Sequence, residues 1–231
     1  MNKPLIHSLY KALRRGWKRL TPEAQQALRN FVSSQRTAHG YAGAGGKEDK
    51  YYRQFGRVLE AVFSPWRLMF YQPRFVVEES VGRDSVYGLF MAFLANDTHR
   101  RSDHLRAKVA QLAEIRQSGR LTTNAACCIL VMQHQIEGRV NEEILAWLKE
   151  RQDETGGFFA SEKAPIPDIL STGVALFTLR LVGAESLDAT DFVQAHFRLW
   201  DRDKKGTGGF TPTILDDYSD VEYCFYGLLG L

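Results

Sequence analysis

The chain has 231 residues, 44% of them hydrophobic and 25% charged, a balance that lets a globular protein bury one large core and excludes disorder over most of its length. Its longest apolar runs, Val86 to Ala95 and Ala125 to Met132, fall well short of the roughly 20 residues that cross a bilayer, and three cysteines with no Cys-x-x-Cys spacing make neither a disulfide framework nor a thiolate zinc site. Lys+Arg 30 against Asp+Glu 27 leaves a formal charge of +3, too small to imply nucleic acid.

A reducing, cytoplasmic setting fits this cysteine usage, and the basic N-terminus never gives way to the apolar stretch of a cleavable signal. Helical periodicity dominates and almost no segment alternates apolar and polar over the length of a strand, so the predicted class is all-α. At the N-terminus Leu5, Ile6, Leu9, Leu13, Trp17 and Leu20 form an apolar stripe at helical spacing, and Lys3, Lys11, Arg14, Arg15, Lys18 and Arg19 surround it. Residues 1–20 therefore read as a basic amphipathic helix and residues 21–231 as a single domain. Such a helix packs on the protein's own first hairpin, or makes peripheral contact with a membrane through residues 3–20.

Further along, a two-part box recurs. An apolar residue is followed four positions later by Gln in Phe31 to Gln35, Leu68 to Gln72 and Leu148 to Gln152, with weaker copies at Ala113 to Gln117 and Phe197 to Asp201. A loop follows, then an acid or amide that opens the next helix: Asp49, Asp84, Asn124, Asp168 and Asp220, 35 to 52 residues apart. That spacing is in the range of helical-hairpin repeats. Each opener suits an N-cap, where a short side-chain oxygen accepts a free backbone N–H of the first turn. Behind the caps come bulky groups: Tyr52 and Phe55, then Tyr87, Phe90 and Phe93, then Cys127 and Leu130, Leu170 and Phe177, and Tyr223 and Tyr226.

Within the first loop, Gly40 to Lys47 (GYAGAGGK) looks like a phosphate loop, but Tyr41 stands where its first glycine should and Glu48 where it needs Ser or Thr, so it reads as a turn. The pairs Gly156-Gly157 and Gly208-Gly209, each followed by Phe, suit tight turns. Near the end, Asp216, Asp217 and Asp220 spell DDYSD, a pattern that holds magnesium in isoprenoid synthases; without a second acidic motif it reads as a solvated cap. The six histidines show no spacing to a Cys or Asp and read as surface or satisfied-core residues.

The stretch from Gln152 to Ala184, QDETGGFFASEKAPIPDILSTGVALFTLRLVGA, resembles a repeat of the protein prenyltransferase β subunits, and GTGGFTPTILDDYSDVEYCFYGLLGL from Gly206 to Leu231 resembles a second. The same repeat underlies the squalene and terpene cyclases. The resemblance covers residues 140–231 well; before that, only the Gln and Asp positions and the spacing persist. It implies an α/α toroid with inner helices around an apolar cavity, here of about five hairpins in a minimal or open ring that residues 4–20 help to close.

Prenyltransferases of this kind bind zinc through an Asp at an inner-helix cap, a Cys two residues later and a His three residues after another cap. Here the positions two after the caps are Tyr51, Val86, Ala126, Leu170 and Glu222, and those three after are Tyr52, Tyr87, Cys127, Ser171 and Tyr223. No Cys-plus-His set exists, so no zinc is expected, and magnesium is expected only if Asp216, Asp217 and Asp220 act as a metal motif. The Arg and Lys that hold the diphosphate in that family are replaced by Ile214 and Asp217 before one cap and by Glu162 and Pro165 before another, which removes the cationic stabilisation of a leaving diphosphate. The phenol that touches the diphosphate persists as Tyr223.

In the cyclases the central acid of an Asp-x-Asp-Asp motif protonates the substrate. That motif falls on Asp168, Leu170 and Ser171, while Asp220-Val221-Glu222-Tyr223 puts Glu222 at the proton-donor position. The resemblance thus implies a toroid without zinc chemistry that binds an apolar, isoprenoid or lipid-like ligand, or a protein partner, with Tyr52, Phe55, Tyr87, Phe90, Asp168, Tyr223 and Tyr226 at the binding face. The alternatives are a small cyclase-like enzyme with Glu222 as acid assisted by Asp220, and a transferase subunit completed by a second chain.

Overall fold

The computed structural model describes residues 5–43, 48, 50–64, 66, 90, 121–199 and 208–231. Asp49, Asp84, Tyr87, Phe93 and the Leu68–Gln72, Ala113–Gln117 and Asp201 positions lie outside them. The described residues are mostly helical, as the periodicity requires: α1 (Leu5–Arg19), α2 (Pro22–Ser34), α3 (Lys50–Phe63), α4 (Thr123–Glu137), α5 (Glu142–Lys149), α6 (Ile169–Val182), α7 (Thr190–Ala195) and α8 (Val221–Gly230). A two-stranded antiparallel sheet, β1 (Phe158–Phe159) and β2 (Pro167–Asp168), pairs Phe158 with Asp168 and Phe159 with Pro167. No described helix is long and apolar enough to cross a membrane.

Short polar side chains set the helix starts. Thr21 accepts from the Ala24 N–H at 3.2 Å ahead of Pro22, Asn141 from Ile144 at 3.0 Å, Asp168 from Ser171 at 2.7 Å and Asp220 from Glu222 at 2.8 Å. Asn124 does not open its helix. Thr122, extended at φ −106° and ψ 157°, takes the Ala125 N–H and starts α4 two residues earlier, because a threonine hydroxyl already in extended backbone satisfies the first turn before Asn124 is reached. Asn124 lies inside the helix and its carboxamide oxygen accepts from the Cys128 thiol at 3.7 Å.

A turn-and-helix unit recurs three times among the described residues. After α2, α5 and α7 the chain doubles back through a single antiparallel bridge, Arg36 to Tyr41, Gln152 to Phe158 and Phe197 to Phe210, and the aromatic residue after the glycine is buried in each. Gly156 at φ 87° and Gly208 at φ 103° make the two later turns, in a region of backbone space that side chains disfavour. The Tyr41 ring lies on Gly56 and the Phe210 ring on Gly227, the seventh residues of α3 and α8; a Cβ at either would sit about 2.5 Å or less from the ring. The seventh residue of α6 is Ala175, also buried. Gln152 recurs for a tertiary reason: its amide nitrogen donates to the Gly156 and Leu187 carbonyls at 3.0 and 3.1 Å and its oxygen accepts the Leu187 N–H at 2.9 Å, which pins two loops together.

α4, α6 and α8 are apolar on every side and buried accordingly. α6 packs between α4 and α8, and α8 packs in turn on α3 and α1. Two glycines let backbones touch around α8: a Cβ on Gly173 would lie 2.2 Å from the Tyr226 carbonyl oxygen and one on Gly16 would lie 1.9 Å from that of Leu228. Residues 1–20 are therefore no separate segment. The stripe Leu5, Leu9, Leu13 and Trp17 is buried in the common core, and its main partner is α8 rather than the first hairpin. Trp17 stacks 4.5 Å from Phe63 of α3 and lies under the Arg29 guanidinium, while Lys11, Arg15 and Lys18 face solvent. Arg19 donates to the Leu231 carbonyl and Arg180 to those of Leu229 and Gly230, so cations hold the carbonyls left over at the end of α8.

Candidate functional site

The N-terminal turns of α3, α6 and α8 carry most of the residues singled out from the sequence. On α3 and α8 they meet as an aromatic wall. Phe55 lies 5.8 Å from Tyr226 and 4.9 Å from Phe225, which in turn makes an edge contact with Tyr226 at 5.3 Å. These three rings are buried at 4 to 5% exposure, so Phe55 and Tyr226 form the base of the wall. Tyr52, seated against Gly43, and Tyr223 are half-buried at its edge, and Tyr223 feels the field of Tyr52 across the two helices. Burial first, and then the charge of Glu222, pushes the Tyr223 phenol well above its ordinary range, which keeps it neutral. Phe90 is helical and half-buried, packed against the core.

The acids are divided among different tasks. Asp220 is buried at 2% exposure and caps α8; Glu222 is half-buried next to Tyr223. Asp216 closes its own turn, its Oδ2 accepting from the Thr213 N–H at 2.9 Å and the Thr213 hydroxyl at 2.6 Å, and Asp217 is exposed. Asp216, Asp217 and Asp220 thus do not converge as a magnesium motif, and among the described residues no three His, Cys, Asp or Glu side chains are grouped to hold a metal ion. Asp168 caps α6 with one oxygen and accepts the Ser171 hydroxyl at 2.8 Å with the other; burial raises its carboxyl above 3.8 against the pull of those bonds. The cysteines are buried, and the Cys127 thiol is pushed up to about 12 by desolvation, which leaves it protonated and unreactive.

Two residues escape sequence reasoning. Phe225 completes the wall but is hidden in a helix that is apolar all round. His196, which caps the end of α7, is 1% exposed and lies in the field of both Asp168 and Asp216. It is no satisfied core histidine: Nδ1 bonds the Phe192 carbonyl at 2.8 Å, but Nε2 has no partner among the described residues. Its distance in sequence from either acid conceals the grouping. No protein-family model, curated protein or solved structure matches the chain.

Proposed function

We propose that the chain is a toroid of helical hairpins that binds an apolar, isoprenoid or lipid-like molecule against the wall made by α3 and α8. The observation that carries this reading is the pairing of Tyr52 and Phe55 with Tyr223 and Tyr226 from helices far apart in the chain, with the Tyr223 phenol held neutral by burial. Neutral aromatic faces bury apolar surface at no cost in charge desolvation. The packing of α8 between α6 and α3, with α1 across them, supports a ring of inner helices. Zinc has no place in this activity, and a protein partner at the rim is the other occupant that fits it.

Native mass spectrometry after gentle extraction tests the reading. A co-purifying lipid or isoprenoid, displaced in Tyr223→Ala, is expected; a protein free of any apolar ligand that also fails to quench on titration with farnesol refutes it. Stoichiometric zinc would refute the absence of zinc chemistry.

One observation favours a second reading, a cyclase-like enzyme. Glu222 is the charged group with the largest effect on Tyr223 and stands beside the buried Asp220, a setting that can make a general acid. Glu222→Gln then abolishes turnover of a polyprene, and unchanged turnover removes Glu222 from the mechanism. A transferase subunit completed by a second chain would instead gain diphosphate chemistry when that chain is added.

A further inference from the structure

A polar corner lies outside the aromatic wall, where α7, the start of α6 and the turn ahead of α8 meet. His196 lies at its base. The Phe192 carbonyl, 2.8 Å from Nδ1, can only accept, so Nδ1 carries the ring proton and Nε2 is a bare lone pair. Since the Nδ1 edge turns back onto α7, the Nε2 edge turns away from that helix, under the field of Asp168 and Asp216. Burial lowers the affinity of the ring for a second proton, which keeps Nε2 an acceptor.

Every other group in the corner also accepts. Both Asp168 oxygens already hold Ser171, and Asp216 Oδ2 holds Thr213, leaving Asp216 Oδ1 with no protein donor among the described residues. The buried Ser219 hydroxyl on the same turn is a second polar atom without a partner. Buried acceptors without donors are costly and call for a molecule that supplies them. Asp168 and Asp216 are half-exposed, so the corner opens to solvent, and Ile214, Leu215 and Tyr218 stand exposed on the same turn.

We infer that this corner binds a protonated alkylamine. The ammonium group has three N–H donors, enough for Nε2, Asp216 Oδ1 and a remaining lone pair of Asp168, and its charge matches the two carboxylates. The aliphatic stem lies against Ile214 and Leu215, beside the Tyr218 ring, whose face attracts a cation. Ammonium bonds of about 2.8 Å suit acceptors that are not drawn together tightly enough for a metal.

The test uses the full chain labelled with 15N-histidine and follows the Nε2 resonance of His196. Titration with n-butylammonium chloride moves this resonance saturably. Tetramethylammonium chloride, which has no N–H, and sodium chloride at equal ionic strength do not. Asp216→Asn keeps an oxygen for the Thr213 bonds but loses the charge, and weakens butylammonium binding about tenfold or more. A resonance that does not saturate, an equal response to tetramethylammonium, or unchanged affinity in Asp216→Asn overturns the inference and leaves a buried water on Nε2. If Asp216→Asn loses its native spectrum, Asp168→Asn, which retains the α6 cap, is read in the same way.

Discussion

Replacing Gly16 by alanine tests the packing of α1 on α8 directly. On helix propensity alone the change is favourable by about 1 kcal/mol, because alanine is the best helix former and glycine among the poorest. Tertiary packing opposes it: the new Cβ would stand 1.9 Å from the Leu228 carbonyl oxygen, against the 3.0 Å below which real Cβ contacts essentially never fall. The obstacle is backbone on both sides, so α1 must move away from α8 by roughly 1 Å, loosening Leu9, Leu13 and Trp17 together. Overpacking of this kind costs typically about 1–3 kcal/mol, and loss of the shared apolar contacts adds to it. A net destabilisation of about 2 kcal/mol corresponds to a fall in Tm of roughly 4–8 °C for a chain of this size. Thermal unfolding followed by circular dichroism measures it, and Trp17, stacked on Phe63, shifts its emission to the red as it is released. If Gly16→Ala is as stable as the parent protein or more so, α1 is not held against α8 as described.

Three further expectations follow from the geometry. Thr122→Ala destabilises by about 1 kcal/mol while Asn124→Ala does so by much less, since the first caps α4 and the second does not; urea unfolding of the pair distinguishes them. Gln152→Ala frees the Gly156 and Leu187 loops, and amide exchange there speeds up while α4 stays protected. Burial holds His196 below 6.5, so between its folded value and 6.5 the unfolded chain binds the extra proton; stability is complete above that window and falls as pH drops through it. Asp168 has the opposite sign in a lower window, because a carboxyl raised above 3.8 loses stability as pH rises past 3.8. Unfolding in denaturant between pH 7.5 and 5.5 therefore shows a decline that shrinks in His196→Asn, and an identical slope in the two proteins contradicts the assignment.

Much of the local architecture is written in the sequence because it depends on neighbours a few residues away. Asp168 and Asp220 cap helices as their residue type and position foretold, and the Gly-Gly-Phe turns bury their phenylalanines. Asn124 misled because two threonines precede it and the nearer of two eligible oxygens to the turn wins the cap. What the sequence conceals depends on contacts between distant elements. The stripe of α1 is plain, but that α8 receives it follows from Gly16, whose role cannot be seen until Leu228 stands opposite. His196 looked unexceptional because its partners come from the openings of two other elements. The aromatic wall was half visible: Tyr52, Phe55, Tyr223 and Tyr226 follow the caps, yet which rings are buried base and which are edge is decided by how α3 meets α8.

The grip of Arg19 on Leu231 joins residues 212 positions apart. During synthesis at about 5–20 residues per second, α1 would wait roughly 10–40 s for the helix that covers it. Its Leu5, Leu9, Leu13 and Trp17 face stays uncovered for that interval, fringed by cations with no acid before Glu23. That is the period in which the nascent chain is most exposed to chaperones, to anionic surfaces and to other chains like itself, and the docking of α8 brings it to an end.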